Sequence, residues 1–271
     1  MKILLPTDKN CSTHPIFIKV IYWLYWLFKV LCFQKSAMSV AMENPQGEQI
    51  GILGGSFDPI HLGHLRLGLE ARQRFQLDRI LFVPAHQSPQ KPDQPITDAH
   101  HRLAMLKIAL QNQPGVEVSE IELKRRGLSY TAETLEALQV ERPAAELSLI
   151  LGADTFQHFG SWRNFSGILS MSHLLVAHRP GHAMPPAPEF LKEILGERSR
   201  DYRLLHTDKQ QQVFENPTTK SKIAFFEIPP LAISASQIRQ EVHRNPLIKN
   251  MLPPAVDQYI MTHHLYPLPS Q

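Results

Sequence analysis

Six strand-like runs, separated by helical or polar stretches, constrain this 271-residue chain more than any other feature. They are residues 49–55 (QIGILGG), 79–85 (RILFVPA), 116–123 (VEVSEIEL), 146–154 (ELSLILGAD), 173–181 (HLLVAHRPG) and 222–228 (KIAFFEI). Most are too uniformly apolar to keep one face wet, so they read as strands buried on both sides. Between them lie helical patterns. Leu65 and Leu69 fall one turn apart in residues 65–75, and Asp98 can cap a helix in which Leu103, Leu106 and Leu110 fall at i, i+3 and i+7. Residues 131–139, 235–243 and 254–263 read as further helices. This alternation predicts an α/β fold, a Rossmann-like doubly wound parallel sheet with C-terminal helices. Residues 182–222 carry the least pattern, and a helix around 190–195 followed by a surface excursion is expected there.

Charge is divided unevenly. Residues 1–41 hold Lys2, Lys9, Lys19, Lys29 and Lys35 against Asp8 alone, a balance of +4, so a total of +3 leaves −1 for the other 230 residues. A near-neutral domain is poorly suited to wrapping nucleic acid, and none is expected as a partner. Both cysteines, Cys11 and Cys32, lie in the N-terminal piece. The body therefore has no disulfide framework, thiolate zinc site or cysteine nucleophile, in keeping with a cytoplasmic setting. Residues 16–33 (IFIKVIYWLYWLFKVLCF) are strongly apolar, broken only by Lys19 and Lys29, while a bilayer span takes about 20 apolar residues. Three readings stay open for this piece: an upstream start superseded by Met38 or Met42, a membrane-surface or spanning anchor, and a cleaved targeting peptide. The expected division is an N-terminal extension over 1–47 and one domain over 48–271.

The eleven residues 54–64, GGSFDPIHLGH, follow the first strand and open the first helix. In an open parallel sheet this is where ligands bind. Gly54 and Gly55 let backbone amides approach a ligand, and Pro59 stiffens the turn by fixing its own φ and biasing Asp58. His61 and His64 fall on one side of the first helical turn, beside unpaired amides and the positive end of the helix dipole. The set suits a phosphate. It lacks the spacing of a dinucleotide fingerprint or a Walker loop, and two histidines with Asp58 make a poor zinc set. Near the other end, ISASQIR (233–239) places Ser234 and Gln237 at capping-box spacing before Ile238, with Arg239 close to Ser236.

The two motifs resemble the paired signatures of the nucleotidyltransferase superfamily, G-x-F-D-x-x-H-x-G-H and I-S-x-x-x-[IV]-R. The segments LKRRGLSYTAETL (123–135), LILGADTF (149–156), FGSWRNF (159–165) and HLLVAHRPG resemble, in order, those of the bacterial nicotinate-nucleotide adenylyltransferase family. The resemblance implies transfer of AMP from ATP to nicotinate mononucleotide, giving deamido-NAD and pyrophosphate, with Mg²⁺ accompanying ATP. It implies His61, His64 and Arg239 as catalytic, with His64 next to the α-phosphate. Gly54, Gly55, Ser56 and Phe57 would line the nucleotide cleft, Ser234, Ser236 and Arg239 would hold the outer phosphates, and Gly152 and Asp154 would meet the adenosine. Tyr130, Thr131 and Trp162 would form the pyridine end, Trp162 stacking on the ring, and Lys91 would reach a phosphate. Where the family often has P-P-H-[KR], this chain has SPQKP, with Gln90 in the histidine position. Other readings are a same-fold transferase acting on nicotinamide mononucleotide or another phosphate acceptor, and a non-catalytic nucleotide-binding module tethered through residues 16–33.

Overall fold

The computed structural model describes residues 47–90, 94–178, 187–208, 210–229 and 233–267. The apolar segment 16–33 and the alternative starts Met38 and Met42 lie outside the described residues. Among those described, no helix is long and apolar enough to cross a membrane.

The chain begins in the middle of its sheet. Strand β1 (Gln49–Gly55) pairs in parallel with β2 (Arg79–Pro84), which pairs with β3 (Val116–Val118). The chain then crosses back, laying β4 (Glu146–Gly152) on the other side of β1 and β5 (His173–His178) beyond it. With β6 (Arg203–Thr207), β7 (Gln211–Glu215) and β8 (Lys222–Glu227), the order across the eight-stranded sheet is β3-β2-β1-β4-β5-β8-β7-β6. The direction of winding reverses between β1 and β4, and a crevice opens at their carboxyl ends.

Strand alternation divides the core into two layers. On β4, Leu147, Leu149 and Leu151 face one layer and Ile150 the other. The first layer is closed by α4 (Thr131–Glu141), α5 (Ala153–Phe156), α6 (Phe165–Met171) and α7 (Ala187–Leu195), through residues such as Leu135, Phe156, Ile168 and Phe190. The second is closed by α1 (Leu62–Arg74), α2 (Ala99–Leu110), α8 (Ala235–Glu241) and α9 (Pro254–Thr262). Helices on both faces of a central parallel sheet are the doubly wound architecture expected. In β1 a Cβ on Gly51 would lie 2.5 Å from Ile80 Cδ1 and 2.9 Å from Ile150 Cδ1, so these side chains occupy the space that glycine leaves.

Two expectations need correction. The strand predicted over 116–123 ends at Val118, and Ile121–Arg125 forms a short helix, α3. Its apparent alternation is misleading because Glu122 is buried and accepts the Thr134 hydroxyl at 2.6 Å, tying α3 to α4. The excursion after α7 also carries two strands, β6 and β7, which extend the sheet antiparallel beyond β8. They escape pattern reading because β6 is largely exposed, Leu204 and Leu205 included, and β7 buries only Val213 and Phe214.

Candidate active site

The crevice is a cleft of about 930 Å³, bordered by the turn after β1, the start of α1, the β4–α5 turn and the start of α8. That volume falls in the range of small-molecule sites. Gly54, Gly55, Ser56, Phe57, His61, His64, Gly152, Asp154, Ser234, Ser236 and Arg239 all border it. A Cβ on Gly54 would meet nothing within 4 Å, which leaves its backbone open to close approach.

The two histidines cap their own helix. His61 is the N-cap of α1, and its Nδ1 accepts the His64 amide at 3.4 Å, while His64 Nδ1 accepts the His61 amide at the same distance. The rings stack with centroids 3.7 Å apart, so the amides at these two positions are committed to imidazoles rather than open to a ligand. Capping does more than close the helix. A ring nitrogen that accepts an N–H holds no proton, so neutral His64 carries its proton on Nε2 and can donate from there. Burial first, and the neighbouring His61 second, hold His64 well below the usual histidine range. At neutral pH it is an uncharged donor.

Phe57 borders the cleft but is only 1% exposed. Its ring supports His64 from below, edge-on at 5.1 Å, and its backbone adopts φ 47°, a left-handed conformation that bulky residues rarely take. The Asp58–Pro59 peptide bond is cis.

The second motif reaches the first across the cleft. Arg239 donates from Nη1 to the Asp58 carbonyl at 2.7 Å and from Nη2 to Ser236 Oγ at 3.3 Å. A Cβ on Gly63 would lie 3.0 Å from the His61 ring, so glycine leaves room for the imidazole. One expectation fails here: Ser234 is the N-cap of α8, but its side chain makes no capping hydrogen bond, so the capping box with Gln237 does not form. Ser234 is exposed at the cleft instead.

The expected pyridine-end residues do not border this cleft. Tyr130 N-caps α4 with the Arg163 guanidinium 4.5 Å from its ring centroid, and Thr131 opens that helix. Trp162 packs against the first core layer with its ring 5.4 Å from Phe159, and its buried Nε1 has no hydrogen-bond partner. The segment is nevertheless tied to the cleft. Ser129 N donates to the carbonyl of Gln87, which borders the cleft, and Ser129 Oγ accepts the His86 amide, both at 2.9 Å. Gln90 is exposed, and Lys91 lies outside the described residues.

A residue that pattern reading passed over underlies the whole loop. Arg102, 1% exposed, donates to the carbonyls of Thr97, Ser56, Ala85 and His86 at 2.7–3.3 Å. Its signal was present, since Arg102 falls in phase with the buried Met105, Leu106 and Ala109 of α2. An arginine inside an apolar stripe needs partners, and four main-chain oxygens supply them.

A switch-point cleft bordered by two histidines and an arginine has side-chain donors of the kind that suit a phosphorylated ligand. The comparisons with known proteins agree. The cytidylyltransferase-like family model matches residues 52–241. The chain is 37% identical over 223 residues to the "Probable nicotinate-nucleotide adenylyltransferase" of Desulfitobacterium hafniense (strain Y51), covering 82% of this chain and 98% of that protein. It is 38% identical over 230 residues to a protein of the same name from Acidithiobacillus ferrooxidans, covering 84% of this chain and all of that one. Among solved structures, the fold matches Plasmodium falciparum nicotinic acid mononucleotide adenylyltransferase complexed with NaAD, with a TM-score of 0.62 at 22% identity over 81% of this chain and 97% of that one. The same enzyme complexed with APC matches with a TM-score of 0.60 at 21% identity, over the same shares of both chains. The chain belongs to the cytidylyltransferase-like family and, within it, to the nicotinate-nucleotide adenylyltransferase family.

Proposed function

We propose that this chain transfers the adenylyl group of ATP to nicotinate mononucleotide, releasing pyrophosphate and forming deamido-NAD. The observation that carries the reading is the 2.7 Å hydrogen bond from Arg239 to the Asp58 carbonyl, which brings the two motifs together on one cleft. An oxygen of the acceptor phosphate attacks the α-phosphorus of ATP. A P–O bond forms there as the bond to the bridging β-oxygen breaks, and pyrophosphate leaves with the electron pair. The protein's share is positioning and neutralisation of charge on the transferred group.

In this reading His64 donates from Nε2 to the α-phosphate, and His61 flanks it. Arg239, with Ser236 and Ser234, holds the outer phosphates, while Gly54 and Gly55 let the nucleotide approach the main chain. Gly152 and Asp154 meet the adenosine. Tyr130, Thr131 and Trp162 serve the acceptor from behind the Gln87 loop, and Lys91 reaches its phosphate. Among the described residues no group of three or more His, Cys, Asp or Glu is placed to hold a metal ion. Asp58 borders the cleft, but its carboxylate is engaged by the Thr97 amide and the Tyr266 hydroxyl. In this reading a Mg²⁺ would accompany ATP. Such an ion supplies charge neutralisation on the phosphates.

The test is pyrophosphate release from ATP with nicotinate mononucleotide against nicotinamide mononucleotide. Faster release with the acid is expected. Equal rates would overturn the acid preference, and release with neither would overturn the function.

A further inference from the structure

The C-terminal segment after α9 touches the loop that carries the site. The Tyr266 hydroxyl donates to Asp58 Oδ1 at 2.7 Å, and the Thr97 amide donates to Oδ2 at 3.2 Å. Asp58 is 6% exposed and its carbonyl is the acceptor for Arg239. One residue thus links a C-terminal tyrosine through its carboxylate to a cleft arginine through its main chain. Tyr266 lies beyond residue 241, where the family match ends.

The segment is held firmly enough to act as a fixed point. Leu265 is buried, its amide donates to the Ile260 carbonyl at 3.1 Å, and its carbonyl is bonded to His243 Nε2 at 2.7 Å. His264 and Tyr266, on either side of it, both adopt left-handed backbone conformations, φ 51° and 58°. Such conformations persist in non-glycine residues only where the surroundings impose them. Here the imposed geometry delivers a hydroxyl to a buried carboxylate.

We propose that Tyr266 is a positioning residue for the phosphate end of the cleft, fixing Asp58 so that its carbonyl holds the Arg239 guanidinium in place. Burial first, then the Asp58 charge, push the phenol upward, so it stays protonated and can only donate to the carboxylate. Without that donor Asp58 loses one of its two fixed contacts, and the carbonyl two bonds from its side chain is free to shift. Arg239 then loses its preset orientation, and nucleotide binding carries the cost of ordering it.

This inference rests on Arg239 meeting nucleotide phosphate, and not on which acceptor is used. It is therefore tested on binding of a non-hydrolysable ATP analogue by calorimetry, which succeeds or fails independently of the acceptor assay. Tyr266→Phe keeps the ring and removes the hydroxyl. An approximately tenfold weaker affinity is expected, the size of one hydrogen bond to a charged group. In an Arg239→Ala background the same change should alter affinity by less than about twofold, because the two act in one chain. An unchanged affinity in Tyr266→Phe, or equal losses in both backgrounds, would overturn the proposal. Hydrogen exchange guards against a general loss of structure. Faster exchange confined to the loop around Asp58 and to α8 supports positioning, whereas uniformly faster exchange would overturn it.

Discussion

At the proposed phosphate end of the cleft, His61, His64, Ser236 and Arg239 come from two short motifs, and all four border the cleft. At the proposed acceptor end, Tyr130 lies against Arg163 and Trp162 against Phe159, and neither borders the cleft. The first end is built from main-chain turns and helix starts, whose geometry follows from a few adjacent residues. The second is built from side chains on separate elements, whose orientation depends on how those elements pack. A motif therefore fixes a turn and a helix start more securely than it fixes the packing of an aromatic side chain.

The largest expected effect lies at the phosphate end. His64→Ala should lower kcat by about 10²–10³, as loss of one preorganised donor does, with a smaller fall in melting temperature because the ring also caps α1. Near-normal pyrophosphate release from the folded variant would break the phosphate-end assignment. At the acceptor end, Trp162→Ala removes packing against Phe159 and should cost about 2 kcal/mol of stability, measured by denaturant titration. If Trp162 also serves the acceptor, KM for nicotinate mononucleotide rises while KM for ATP holds. Lost stability with both KM values unchanged would leave it a core residue alone.

The smallest effect concerns pH. Folded His64 is held below the ordinary histidine value of about 6.5 that the unfolded chain keeps. Below that pH the unfolded chain takes a proton that the folded state refuses. Stability is therefore fully present above about pH 6.5 and falls with decreasing pH until the folded group itself titrates. Buried His173 and the half-buried His101, both lowered chiefly by desolvation, add slopes of the same sign. Denaturation midpoints between about pH 7 and 5 should fall in the native protein and less steeply in His64→Gln. A slope unchanged by that substitution would contradict the environment described for His64.

Much of this was legible in the chain, for identifiable reasons. Runs such as 173–178 are apolar at every buried position, and Asp98 caps α2 by accepting the His100 amide at 3.0 Å, as its position suggests. Strands β6 and β7 were not legible, because β6 is an exposed edge strand and β7 beside it buries only Val213 and Phe214, too little to show a period. Ser234 was read as a capping side chain, but an N-cap position does not oblige its hydroxyl to turn back to the helix. Arg102 showed a charge in an apolar stripe, without showing what would satisfy it.

The amino-acid order by itself determined the doubly wound class, the start of the cleft after β1 and the two motifs that border it, since each depends on spacing along a few residues. Tertiary structure alone decided that Arg239 meets the carbonyl of a residue 181 positions away and that Arg102 satisfies the oxygens of two loops. It also decided that Tyr266 closes on Asp58. The physical reason is shared. A buried polar group must find a partner, and which partner is within 3 Å depends on how the sheet was wound.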